Sequence, residues 1–138
     1  MDFFFIQMSD PQFGMFARLS GLDEERIQEF HRRRGWNILP AAKTIGFSQE
    51  TALYEKAIAA ANRLNPAFVV ISGDLVEDRN DPNQLAELRR ITAKLHSQIP
   101  VYWTPGNWDV GNTPTPNTLE QYRRDFGHDY YSFQQGGS

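Results

Sequence analysis

Ala67-Phe68-Val69-Val70-Ile71-Ser72-Gly73-Asp74 is the stretch whose reading decides the fold. Ala67 to Ile71 is an uninterrupted apolar run rich in β-branched residues, the pattern of a strand. Gly73 allows a sharp exit, and Asp74 is delivered where the strand ends. Upstream, Pro66 closes a helix that runs from Ser48 as N-cap to about Asn65. Its apolar stripe is Leu53, Tyr54, Ala57, Ile58, Ala61 and Leu64. Downstream, Asp81-Pro82 places an N-cap before a proline at the first helical position, and Leu85, Leu88, Ile91 and Leu95 follow on one side.

The same alternation extends in both directions. Ile99 to Thr104 reads as a strand that tolerates Pro100 near its start, and it leads into Pro105-Gly106-Asn107-Trp108-Asp109. Asp2 to Ser9 is a Phe-rich run expected to be a first strand buried on both faces, with Asp10 at its exit. Thr115-Pro116 opens a helix carrying Leu119, Tyr122 and Phe126 and closed by Gly127; Tyr130 to Phe133 is expected to begin a fourth strand, and Gln134 to Ser138 to turn. The order β-helix-β-helix-β predicts right-handed crossovers and an α/β fold, a mainly parallel sheet with flanking helices.

Residues 13–47 form a long connection. It carries one expected helix, with Asp23 as N-cap, Glu24 and Glu25 in the first turn, Ile27 and Phe30 inward, Arg32 to Arg34 in the last turn and Gly35 beyond. So long an excursion directly after Asp10 suggests a flap over a site, to which Phe13, Phe16, Trp36 and Phe47 contribute either an apolar cover or core packing.

Composition bounds what the site can be. At 138 residues, 40% hydrophobic, with a net charge of -3, the chain is long enough for one cored domain over 1-138 and shows no basic stripe for nucleic acid. With no cysteine there is neither a disulfide framework nor a thiolate metal site, so a metal must be held by O or N. Phe3 to Ile6 is too short for a signal core and no segment reaches membrane-spanning length. A cytoplasmic location is the expectation. Asp10-Pro11-Gln12, Gly73-Asp74 and Gly106-Asn107-Trp108-Asp109 each follow an expected strand, and loops leaving the carboxyl ends of parallel strands share one crevice. Two carboxylates and two side-chain amides there suit one or two divalent metals.

These motifs carry a resemblance. Asp10 to Gly14, reading Asp-Pro-Gln-Phe-Gly, Gly73 to Asp78, and Gly106 to Asn112 resemble the first three motifs of the calcineurin-like metallophosphoesterase superfamily. The sequence is most similar to the branch of calcineurin-like phosphoesterase domain proteins with that first motif, and Asp109 to Phe133 is similar to it as well. The resemblance covers nearly all of this chain and about the first half of the family's four-layer αββα sandwich. It implies hydrolysis of phosphate esters by a water held on two divalent metals. Asp10 and Gln12 would serve the first metal, Asp74 would bridge both and Asn107 would serve the second, with Asn107, Trp108 and Asp109 as the catalytic group.

Two positions depart from the family pattern. Gln12 stands where many members have histidine, giving a harder site that favours Mn²⁺ or Mg²⁺ over Zn²⁺, with Fe as a further family metal. Trp108 stands where the family has a histidine that steadies the phosphoryl oxygens; indole donates one hydrogen bond and cannot exchange a proton. The family's remaining ligands are histidines in its second half. His128 is expected in a surface turn, and His31 and His96 on helices away from the site.

The expected function is therefore metal-dependent phosphoester hydrolysis, weak or absent in this chain as it stands, on a phosphate-ester substrate. The alternative is a catalytically degenerate binding module that keeps the fold. Self-association through an exposed sheet edge or face is also expected, with no nucleic-acid or membrane partner.

Overall fold

A computed structural model describes residues 3–135. In chain order the elements are β1 (Ile6–Ser9), α1 (Met15–Leu19), α2 (Glu24–Arg34), α3 (Ser48–Leu64), β2 (Val69–Ser72), α4 (Pro82–Thr92), β3 (Val101–Thr104), α5 (Asn107–Val110) and α6 (Pro116–Phe126). The sheet is a three-stranded, all-parallel one in the order β1-β2-β3. This is the expected α/β class. Successive right-handed crossovers that step the same way across a sheet put their helices on one face, and α3 and α4 do pack against each other there.

Register follows from the pleat. Ile6, Val69 and Val101 lie in one row, and Met8, Ile71 and Trp103 in another; both rows face the helices. Their core partners are Tyr54, Ile58 and Ala61 of α3, Leu88 and Ile91 of α4, and Tyr122 of α6. At about 25 cal/mol per Å² of apolar surface removed from water, this helix-covered face is the main source of stability. The helix caps follow the sequence closely. The carboxylates of Asp23 and Asp81 accept from the Arg26 and Asn83 amides, and the Thr115 hydroxyl accepts from the Thr118 amide.

Several expectations are corrected. β1 is an edge strand with alternating exposure, not one buried on both faces. Phe3, Phe4 and Phe5 precede it and are about half exposed; Asp2 lies outside the described residues. Among the described residues no helix crosses over the second face of the sheet, and its cover comes from aromatic side chains that bury Phe68. Leu53 and Leu64 are exposed despite their place in the α3 stripe, because three short strands are too narrow a platform to cover that width. Ser48 is the first helical residue of α3, preceded by Phe47 and without a side-chain cap.

Tyr130 to Phe133 is not a strand. Its side chains hold it instead. The Phe133 ring stacks on Tyr102 at 3.9 Å between centroids and meets Phe68 edge-on at 5.1 Å, while the Tyr131 hydroxyl donates to the Trp103 carbonyl at 2.8 Å. Phe5 stacks on Phe68 at 4.9 Å from the other side. An aromatic layer thus lies on the face the helices leave bare. The expected closing turn falls partly on residues 136–138, outside the described residues. His31 and His128 are exposed as expected, whereas His96 lies beyond the end of α4, its amide donating to Asn62.

Candidate active site

The last row of the sheet is Ser9, Ser72 and Thr104. Because the strands are parallel and unstaggered, the next residues of all three leave at one edge: Asp10, Gly73-Asp74 and Pro105-Gly106-Asn107. Backbone bonds continue past the strands. Asp10 N–H donates to Ser72 O, Gln12 N–H to Asp74 O at 3.0 Å, and Gly73 N–H to Thr104 O at 2.8 Å. A further parallel bridge joins Phe13 to Val76, with Glu77 N–H donating to Phe13 O. The first and second motifs therefore run side by side as rigid backbone rather than as free loops.

Among the described residues, the non-glycine positions with positive φ are Asp10, Gln12, Asn65 and Asp74. Asn65 is the αL cap of α3; the others are the expected metal ligands of the first two motifs. Left-handed backbone at an L-residue costs about 1–3 kcal/mol and gathers at functional sites, where it aims a side chain that regular geometry would turn away.

The third motif is locked to the second by two contacts. Trp108 N–H donates to Asp74 Oδ1 at 3.0 Å. Asp109 is 4% exposed; its Oδ1 accepts from Leu75 N–H at 2.9 Å and its Oδ2 from Gly106 N–H at 2.8 Å. Burial pushes its carboxyl up to about 6, opposed by those backbone bonds. Asp109 was expected in the catalytic group; both of its oxygens are turned inward on backbone donors, Oδ1 tying the third motif to the second and Oδ2 bracing the turn of the third motif itself. Gly106 is required by space: a Cβ there would stand 2.3 Å from both the amide nitrogen and Oδ1 of Asp74.

Two residues that sequence reading left out adjoin the expected ligands. Glu77, within the second motif, is 8% exposed and accepts from Gln12 Nε2 at 2.8 Å. Its other oxygen pairs with Arg18 Nε. Burial raises the Glu77 carboxyl above its ordinary range, against the opposing pull of the Arg18 charge and the Gln12 bond. Arg18 lies on α1, a one-turn helix too short to leave a periodic signal. Its guanidinium sits 5.0 Å from the Trp108 ring centre and 5.8 Å from those of Phe30 and Trp36. Phe30 of α2 and Trp36 stack on each other. The 13–47 connection thereby reaches the site margin through Arg18, while Phe13 belongs to the core against Phe47 and Tyr54. Glu50 of α3 anchors the start of this connection by accepting from the amides of Gly14 and Phe16.

As a metal site, Asp10, Asp74, Gln12 and Asn107 offer carboxylate and amide oxygens alone, a hard donor set that fits Mn²⁺ or Mg²⁺ better than Zn²⁺. Among the described residues, no three of His, Asp and Glu form a metal-holding group, so the fit depends on the amides. No helix of the described residues is long and apolar enough to cross a membrane.

Comparison with known proteins bears on the family. The family described as calcineurin-like phosphoesterase matches residues 5–137. Proteins named serine/threonine-protein phosphatase CPPED1 are similar over nearly the whole chain. The Bos taurus protein is 36% identical over 141 residues, spanning 98% of this chain and 40% of its own length. The Homo sapiens protein is 34% identical with the same coverage, and the Danio rerio protein 33% identical over 143 residues. The chain thus spans 40% of the length of the curated relatives it matches.

Proposed function

Since this chain belongs to the calcineurin-like phosphoesterase family, we propose that it carries the first part of a metal-dependent phosphoester hydrolase site, with phosphoserine or phosphothreonine in proteins as the substrate class. The relatives' names supply that class. The observation that carries the reading is the common exit row of the three parallel strands, from which Asp10, Asp74 and Asn107 emerge together.

In this reading Asp10 and Gln12 hold one divalent cation, Asp74 is shared, and Asn107 serves a second, with Mn²⁺ the preferred ion. Bound cations supply positive charge against phosphoryl oxygens and water acidic enough to react near neutral pH. The chain's own residues orient and hold. Asp74 keeps one oxygen on the Trp108 amide, which leaves the other for the crevice. Asp109 stiffens the loop that presents Asn107. The Trp108 indole N–H can donate to a phosphoryl oxygen but cannot return a proton, and general acid catalysis is worth roughly 10²–10⁴ in rate. The proposal therefore includes low turnover for this chain on its own.

The deciding experiment compares Mn²⁺-dependent hydrolysis of a phosphoserine peptide by this chain and by a longer chain extended to the relatives' length. Activity in the longer chain, lost in Asp10→Ala and Asp74→Asn, supports the proposal. A longer chain that binds phosphopeptide without turnover would favour the second reading, a degenerate binding module, for which Trp108 is the specific observation.

A further inference from the structure

A glutamine is a poor metal ligand unless something decides which end of its amide faces the metal. Nitrogen and oxygen are nearly isosteric, and the two orientations differ only in their hydrogen bonds. The Gln12 amide has one such partner. Its Nε2 donates to Glu77 Oε2 at 2.8 Å, and Oε1 accepts no hydrogen bond from the described residues. A carboxylate is an acceptor only, so the bond admits one sense of the amide: nitrogen toward Glu77, oxygen away from it. Glu77 is held in turn, because its Oε1 pairs with Arg18. Arg18 is itself confined among the rings of Phe30, Trp36 and Trp108. The backbone adds the last constraint: Gln12 N–H is bonded to Asp74 O and Glu77 N–H to Phe13 O, which sets both side chains on neighbouring rungs.

We propose that Glu77, braced by Arg18, is a positioning residue that fixes the sense of the Gln12 amide and reserves Oε1 for a divalent cation shared with the Asp10 and Asp74 loops. This rests on the metal-centre reading above and adds to it. It gives the flap a task, since Arg18, Phe30 and Trp36 all belong to the 13–47 connection. It also accounts for how a neutral amide can serve at a position where an imidazole would bind more strongly: the orienting partner is built in. Outer partners of metal ligands are commonly worth about 10–100-fold in metal affinity.

The test uses the chain itself and Mn²⁺ alone. Calorimetric titration of the wild type, Glu77→Gln, Gln12→Ala and the double variant forms a cycle that isolates coupling between the two residues. Glu77→Gln, which can donate as well as accept and so lets the amide turn, is expected to weaken Mn²⁺ binding about 10–100-fold. It should cost nothing further once Gln12 is alanine. An equal loss in both backgrounds would overturn the inference, since Glu77 would then be general structural support.

A second readout needs no metal. The side-chain N–H protons of Gln12, assigned by their disappearance in Gln12→Ala, are followed by ¹⁵N NMR in the metal-free chain. One of them is expected downfield and slow to exchange, and it should return to ordinary values in Glu77→Gln and in Arg18→Met while the backbone spectrum is retained. Side-chain signals indifferent to both variants would refute the positioning role whatever the metal does. If the wild type binds no Mn²⁺, the metal-centre reading fails by itself, and the NMR comparison still decides whether Glu77 orients the amide.

Discussion

The Trp108 amide donates to Asp74 Oδ1 at 3.0 Å, which joins two motifs separated by a whole crossover. Asp74 is therefore both a candidate ligand and the receptor of a backbone donor, so its replacements have separable effects. Asp74→Asn keeps the size, can still accept from Trp108 through its amide oxygen, and removes the charge. Mn²⁺ at about ten times its dissociation constant should stabilise the wild type by about 1.4 kcal/mol and raise the melting temperature by roughly 3–6 °C. In Asp74→Asn the rise should vanish while the metal-free melting temperature changes little. Scanning calorimetry with and without Mn²⁺ checks both halves.

Gly106→Ala tests the close approach of the second and third motifs. A methyl group at this position has backbone and carboxylate of Asp74 within 2.3 Å, and neither can yield as a flexible side chain would. A loss of about 1–3 kcal/mol is expected in urea unfolding, together with the loss of Mn²⁺ binding, because Asp74 must move. Full stability with intact binding would contradict the packing described here.

Asp109→Asn separates tying loops together from chemistry. Both oxygens of Asp109 accept from backbone N–H groups. An amide must turn its NH₂ toward one of those donors, leaving that buried N–H unpaired at a cost of about 1–3 kcal/mol. Denaturant unfolding should show a loss of that size in the metal-free chain, which a purely catalytic residue would not produce.

Trp108→His, made in a chain long enough to supply the family's second-half histidines, should increase turnover of an aryl phosphate by roughly 10²-fold or more if proton transfer limits the rate. In the chain of 138 residues the same change should leave activity near background. No gain in the longer chain would place the limiting step elsewhere.

The aromatic face makes a prediction about association. Phe3 and Phe5 are half exposed beside Phe68, Tyr102 and Phe133, and no helix of the described residues covers that side. We propose that copies of this chain associate through this face. Light scattering at rising concentration should show mass above the monomer, and Phe3→Ser with Phe5→Ser should restore the monomer without changing α-helical circular dichroism. A monomer at all concentrations in the wild type would show that the Phe133 segment already seals the face.

Helix caps and the placing of three motifs at strand exits were determined locally. A β-branched run before Gly73, the Asp81-Pro82 and Thr115-Pro116 starts and the Asp23 cap each act within a few residues, so sequence alone carried them. The register row Ser9-Ser72-Thr104 makes neighbours of distant exits, and parallel pairing had already implied that convergence. Tertiary structure alone decided the rest. The left-handed backbone at Asp10, Gln12 and Asp74 comes from the loops pairing beyond the strands. Glu77 and Arg18 look like surface charges in sequence and find each other only across a fold that buries one and ringfences the other with aromatics. The four residues Tyr130 to Phe133 have strand composition, yet they lie as an aromatic cover. Strand propensity reports the fit of a side chain to a half-buried surface, and the rings of Tyr102 and Phe68 provide such a surface, so the segment packs on the face of the sheet instead of pairing with the edge of β3.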